Sequence, residues 1–198
     1  MAIEKEIEFK QLLDFQNYQK IKSTYFNEMA PFEQTNHYID TPDLQIQSHK
    51  MALRIREKAD GSLEMTLKVP QTIGLNEYNY ETHFVPTQGD IVPLSVLPKD
   101  IQSILIDKQV NLEKLQVLGA LTTLRFEKRL TSGLLVLDHS IYLGIEDYEL
   151  EFEVSDYEKG KKEFNELLKL FNLWHEEPKN KVRRFFEYQA FLNQHTNQ

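Results

Sequence analysis

The sequence contains no cysteine, so disulfides, thiolate metal sites and cysteine nucleophiles are all excluded. It also has no uninterrupted apolar run near the ~18 residues that a membrane-spanning helix requires. Glycine and proline number seven each in 198 residues and are nowhere gathered into a linker, and no repeat of fixed period divides the chain. A basic excess is missing as well. The net charge is −8, against the positive footprint of a general nucleic-acid binder. That sum leaves room for an anionic ligand, because a lumen can be locally basic inside an acidic protein. The opening residues, Met1-Ala2-Ile3-Glu4-Lys5-Glu6, lack the basic and apolar regions of a signal peptide. The six histidines (37, 49, 83, 139, 175 and 195) show no tight metal-ligand spacing. The expectation is one cytoplasmic domain over 1–198, monomeric or homodimeric, with neither nucleic acid nor membrane as partner.

What is present is alternation. A period of two, the mark of strands with unlike faces, recurs at 3–10, 51–58, 62–69, 75–84, 121–131, 134–141 and 147–155. A further strand is expected over 33–41. Asp60-Gly61 and Ser132-Gly133 are hairpin signals between neighbouring runs. Helical spacing of apolar residues predicts helices over 11–28, 157–172 and 181–194, with a weaker one within 94–107. Eight strands with mostly local antiparallel connections predict a β-dominated α+β fold, an eight-stranded closed barrel with helices packed outside. An open sheet of that size must otherwise protect two edges.

The polar faces of these strands carry the chemical information. Glu4, Glu6, Glu8 and Lys10 oppose Ile7 and Phe9, while Glu149, Glu151 and Glu153 oppose Leu150, Phe152 and Val154. On one strand alone, such a face is what a solvated antiparallel sheet shows. Taken together, the charges are segregated. Like-charged side chains two apart on a strand share a face at roughly 6.5–7 Å, an unfavourable arrangement unless something cationic lies among them. Carboxylate oxygens are the preferred ligands of Mg²⁺ and Mn²⁺. Lys10, Arg54, Arg56, Lys68, Arg125 and Arg129 form a complementary basic set suited to phosphate oxygens. Acidic and basic walls in one lumen match a metal–polyphosphate complex.

These residues bring a family into view. Glu6-Ile7-Glu8-Phe9-Lys10, in the first strand, resembles the ExExK signature of the CYTH superfamily, the triphosphate tunnel metalloenzymes. Tyr38-Ile39-Asp40-Thr41 resembles its YxDT element, Leu53-Arg54-Ile55-Arg56 its LRxR strand and Thr66-Leu67-Lys68 its TxK strand. The acidic strand from Glu77 to Glu81 follows, then Arg125 and Arg129, then Leu137-Asp138. Glu149-Leu150-Glu151-Phe152-Glu153 resembles the ExE strand, and Lys179-Asn180-Lys181 the closing lysine motif, with Asn180-Lys181 where many members have Ser-Lys. The resemblance spans about residues 3–186 and is nearest to the small bacterial YjbK-like branch.

It implies a tunnel that binds a triphosphate and needs Mg²⁺ or Mn²⁺ for catalysis. Glu6, Glu8, Glu151 and Glu153, with Glu149 a close candidate, would be the metal ligands. Lys10, Arg54, Arg56, Lys68, Arg125 and Lys181 would grip phosphates, with Arg129 and Lys179 behind them. Glu6, Glu8, Lys10, Arg54 and Arg56 would form the catalytic set. Glu77 and Glu81 would hold a second metal or orient the basic residues, and Asp138 belongs to the same lumen. The leading expectation is a metal-dependent triphosphate hydrolase, with inorganic triphosphate favoured because no base-recognition element stands out. The alternatives are an adenylate cyclase, which must hold adenine so that the ribose 3′-oxygen attacks the α-phosphorus, and a binding protein without turnover. Arg183-Arg184 beside Phe185-Phe186 reads as the solvated start of an amphipathic helix, and Trp174 as a packing residue.

Overall fold

The computed structural model describes residues 2–196. Its strands are β1 (Ala2–Leu13), β2 (Phe32–Asp40), β3 (Ala52–Glu57), β4 (Leu63–Pro70), β5 (Leu75–Glu81), β6 (Gln116–Arg129), β7 (Gly133–Tyr142) and β8 (Ile145–Val154). Its helices are α1 (Phe15–Tyr25), α2 (Gln45–Ser48), α3 (Lys99–Asp107), α4 (Tyr157–Leu170) and α5 (Lys181–Thr196). The strands form a closed antiparallel barrel in the order β1-β5-β4-β3-β2-β6-β7-β8. Within it the chain gathers into two compact units. Gln34–Leu121 makes up nearly all of one, and Glu6–Glu33 with the segment from Thr122 onward makes the other.

The first unit is a local meander in which β2 pairs with β3, β3 with β4 and β4 with β5. Its alternation buries Ile39, Leu53, Ile55, Met65 and Leu67 against Ile101 and Leu105 of α3, together with Val110, Leu115 and Val117. Burying one such side chain stabilises by roughly 1.5–3 kcal/mol. The expected Asp60-Gly61 turn forms, with Gly61 at φ +80 closing β3 onto β4. Helix α2, absent from the sequence expectation, is a single turn held by a long-range contact. The buried Asp40 carboxylate accepts from the backbone N–H groups of Thr41, Ile46 and Gln47.

The second unit pairs β1 with β8, β8 with β7 and β7 with β6. Phe9, Leu135, Leu137, Leu150 and Phe152 pack with Tyr18 and Ile21 of α1 and Phe164, Leu167 and Leu168 of α4. Here β1 runs to Leu13, where a helix was expected from residue 11. Leu12 and Leu13 stay in the ladder opposite Glu149 and Tyr148, and Asp14 caps α1 by accepting from Asn17 N–H. Strand β5 stops at Glu81 instead of 84, and β6 starts at Gln116 instead of 121.

Two glycines in this unit are required by close approach. A Cβ on Gly160 of α4 would lie 2.5 Å from Val154 Cγ2, and one on Gly133 would lie 2.3 Å from the Glu153 carbonyl oxygen. The Ser132-Gly133 signal therefore marks a real hairpin, but Gly133 is needed for clearance and not for positive φ. Positive φ is used at the next turn, where Leu143 (φ 48) and Gly144 (φ 81) join β7 to β8.

Candidate functional site

Strand parity places the charged side chains opposite the apolar ones that pack against α3 in the first unit and against α1 and α4 in the second. In the first unit the cross-strand register sets Arg54 opposite Thr66 and Tyr38, Lys68 opposite Glu77, and Asn36 opposite Arg56. Lys68 Nζ lies 2.6 Å from Glu77 Oε1, and an Arg54 terminal nitrogen lies 3.9 Å from the same atom. Arg56 Nε donates to Asn36 Oδ1 at 3.2 Å, and Thr66 donates to Asn79 at 2.8 Å. Burial acts to raise the Glu77 carboxyl, but Lys68 and Arg54 outweigh it and bring it down to about 2. Glu77 is therefore an ionised anchor for two cations. Arg54 Nε is buried with no hydrogen-bond partner. Glu81, four residues along β5 from Glu77, is exposed, as is His83 beyond it.

The second unit holds a denser network. Glu8 faces Glu153 and Lys10 faces Glu151 across the β1–β8 ladder. Arg125 of β6 grips Asp138 of β7 with two bonds of 2.8 and 2.7 Å and reaches Glu151 at 2.9 Å. Lys181, the first residue of α5, donates to Glu149 and Glu151, each at 2.5 Å, and its Nζ lies 2.7 Å from Asp138. Arg184, one turn on, binds Asp147 at 3.0 Å and Glu149 at 2.8 Å. Lys10 Nζ lies 2.6 Å from Glu8 and 3.7 Å from Glu151.

Burial and charge sort these carboxyls. For Glu151 the cost of burial is overcome by Lys181, Lys10 and Arg125, which hold it well below the usual range. Asp138, also fully enclosed, is brought down by Arg125 and Lys181 against that cost. Glu149 is pushed up by its complete enclosure, against the pull of Lys181. Glu153 rises to about 7, first through burial and then through the nearby Glu6 carboxylate. Lys10 is held well above the ordinary lysine value because Glu8 and Glu151 outweigh its burial.

Lys10 pairs with Glu8, and Glu6 and Glu8 of β1 bring negative charge toward Glu153 of β8. Their oxygens are the hard donors that Mg²⁺ and Mn²⁺ prefer, and a divalent ion would relieve the repulsion that lifts Glu153. The residues fit such an ion, although among the described residues no three acidic or histidine side chains are already drawn together to hold one.

Most of the residues singled out from the sequence lie in one or other cluster: Arg54, Arg56, Lys68 and Glu77 in the first unit, and Glu6, Glu8, Lys10, Arg125, Asp138, Glu149, Glu151, Glu153 and Lys181 in the second. Arg129 lies at the exposed end of β6. Lys179 is exposed and pairs with Glu187 at 2.7 Å. Sequence reasoning passed over Asn36 and Asp147, and it read Arg183-Arg184 as a solvated helix start with room for one arginine to face the tunnel mouth. Asp147 continues the 149–151–153 alternation backward, so its parity was available. Arg183 fits the solvated helix start that was expected, pairing with Glu187 one turn on, whereas Arg184 turns inward.

An antiparallel barrel whose strands carry carboxylates, guanidinium groups and ammonium groups opposite their apolar sides defines a class of charged β-barrels. The chain belongs to the CYTH domain family, whose sequence profile matches residues 4–186. It is 39% identical over 188 residues to "Putative triphosphatase YjbK" of Bacillus subtilis, covering 94% of this chain and 97% of that protein. Among solved structures it resembles a "putative adenylate cyclase" from Bacillus halodurans, with TM-score 0.81 and 35% identity over 94% of this chain and all of the other. The Hippeastrum protein HpAC1, a "putative adenylyl cyclase" described as revealing a dominant triphosphatase activity, shares the fold at TM-score 0.71. Its identity is 22%, over 92% of this chain and 95% of its own.

Proposed function

We propose that this chain is a divalent-metal-dependent triphosphate hydrolase, with inorganic triphosphate as its favoured substrate. The observation that carries the proposal is the buried Arg54 Nε, which lacks an acceptor on a strand that also carries Arg56 and faces Thr66 and Tyr38. A phosphate oxygen is the acceptor that a guanidinium suits. The 39% identity to YjbK supports the same reading.

In this reading Arg54, Arg56 and Lys68 bind phosphate oxygens, with Glu77 and Asn36 fixing their direction. Preorganised cations of this kind stabilise the charge that shifts onto the bridging oxygen as the P–O bond breaks. Arg125 adds its charge while Asp138 and Glu151 hold two of its nitrogens and the third lies 3.7 Å from Glu127. Glu6, Glu8 and Glu153 would hold Mg²⁺ or Mn²⁺, which supplies charge neutralisation and Lewis acidity to the phosphate. Water adds to the terminal phosphorus, the bond to the bridging oxygen breaks, and phosphate and pyrophosphate leave. No side-chain nucleophile is needed.

The resemblance to the Bacillus halodurans structure favours adenylate cyclase as the second reading. One experiment separates them: phosphate, pyrophosphate and cyclic AMP are measured from inorganic triphosphate and ATP, with Mg²⁺, Mn²⁺ or EDTA, for the wild type and Glu8→Gln. Metal-dependent phosphate release that drops at least 100-fold in Glu8→Gln is expected, in keeping with the usual size of such electrostatic terms. Cyclic AMP as the main product selects the cyclase. The absence of every product defeats both.

A further inference from the structure

We infer that Arg184 is a positioning residue for the reaction: it fixes Glu149 and the turn that delivers Lys181, and through them the carboxylates that aim Arg125. The inference rests on the hydrolase reading above and deepens it by giving α5 a part in the chemistry.

Only 11% of the Arg184 side chain is exposed, and its donors all meet protein groups. Nε and Nη2 donate to the two oxygens of Asp147 at 3.0 and 3.3 Å. Nη1 donates to Glu149 Oε2 at 2.8 Å and to the Lys179 carbonyl. Asp147 is held in turn by the Tyr142 hydroxyl at 2.9 Å. A guanidinium is planar and rigid, so one gripped on both sides fixes the direction of each group it touches. The Lys179 contact ties the chain just before α5 to β8. Asn180 then caps the helix, its side chain accepting from Arg183 N–H and its carbonyl from Arg184 N–H.

Lys181 follows that cap, and Glu149 joins it to Arg184. One Glu149 oxygen, Oε1, accepts from Lys181, and the other, Oε2, accepts from Arg184. Lys181 also donates to Glu151 and lies 2.7 Å from Asp138. Those two carboxylates hold the fork of Arg125. Without Arg184, Glu149 keeps a partner on one oxygen and loses the one that sets its plane. The neighbouring Arg183 gives the contrast, since its side chain is 57% exposed and pairs with Glu187 on the same helix.

The test is steady-state hydrolysis of inorganic triphosphate by the full-length protein with Mg²⁺ or Mn²⁺, each variant being checked for folding by thermal melting. Arg184→Met is expected to lower kcat by about 10- to 100-fold with KM within about threefold, the scale on which small misplacements act. Arg184→Lys keeps the charge but cannot bridge two carboxylates and a carbonyl, so it stays down by about fivefold or more. Arg183→Met remains within about twofold of the wild type. Asp147→Asn loosens one side of the guanidinium, so it lowers kcat in the wild type and has no further effect in Arg184→Met. A folded Arg184→Met with wild-type kcat, a loss confined to KM, an equal loss in Arg183→Met, or losses from Arg184→Met and Asp147→Asn that multiply would each overturn the inference and leave the hydrolase reading standing. A wild type without hydrolysis overturns both. If Arg184→Met does not fold, full activity in Arg184→Lys and Asp147→Asn overturns the inference, and reduced kcat in both upholds it.

Discussion

Replacing Arg125 by Met keeps most of the volume of the side chain and removes its charge and its fork. Arg125 is almost fully buried, and it makes two bonds to Asp138, which is completely enclosed, and one to Glu151. Truncating one partner of a buried pair leaves the other charge without its match, which costs about 3–5 kcal/mol. Lys181 remains on Asp138 and Glu151 and offsets part of that loss, so the lower end, about 3 kcal/mol, is expected for Arg125→Met. Against a total stability of about 5–15 kcal/mol, this is a large fraction. For a domain of this length, it lowers the melting temperature by roughly 6–12 °C. Arg125→Lys keeps the charge without the two-pronged geometry and falls between the two. The assay is urea unfolding at neutral pH in low and high salt, with Asp138→Asn and the double variant completing a cycle. A buried pair is little screened, so the loss persists in high salt. A loss below about 1 kcal/mol, or one that high salt abolishes, would refute the reasoning, because that is how a surface pair behaves.

Two further perturbations test other parts of the fold. Glu77 has its folded-state carboxyl brought down to about 2, below the unfolded value near 4.3, so it adds stability above pH ~4.5 that is lost as pH falls toward 2. Glu77→Gln is then less stable than the wild type by about 1–3 kcal/mol at pH 6, and the gap closes near pH 2. A gap independent of pH in acid unfolding curves rejects the assignment. In α4, Gly160→Ala would stabilise an ordinary helix by about 1 kcal/mol. Here the new Cβ meets Val154 at 2.5 Å and Phe9 at 3.0 Å, so a destabilisation of about 1–3 kcal/mol is expected instead, and a rise in melting temperature would contradict the packing.

The sequence exposed strand faces better than strand ends. Alternation at 147–155 and 121–131 is a local property set by the pleat, so the grouping of Glu149, Glu151 and Glu153, and of Arg125 with its neighbours, was readable. The end of β1 was not, because Leu12-Leu13 satisfies a helical stripe as well as a strand. Pairing with β8 and the Asp14 cap decide the matter, and β8 lies far along the chain. The same limit applies to the clusters. Parity assigns Arg129 to the face of Arg125, yet it stands at the strand's exposed end. Nothing local could show that Lys181 meets Glu149, 32 residues away, or that Asp40 assembles α2 from six residues upstream.

The β1–β8 ladder also fixes a timetable. Phe9 pairs with Phe152 and Glu8 with Glu153, so β1 waits for a strand that is made much later. Residues 34–121 meander locally and can organise as they emerge, since contacts close in sequence form fast. The β1–β8 ladder that brings Glu8 to Glu153 is assembled only after β8 has been made. Until then the edge of β1 that β8 will cover is unpaired, the kind of transient surface that aggregates or engages a chaperone. Its run of glutamates supplies the like-charge repulsion that keeps such an edge apart from its copies.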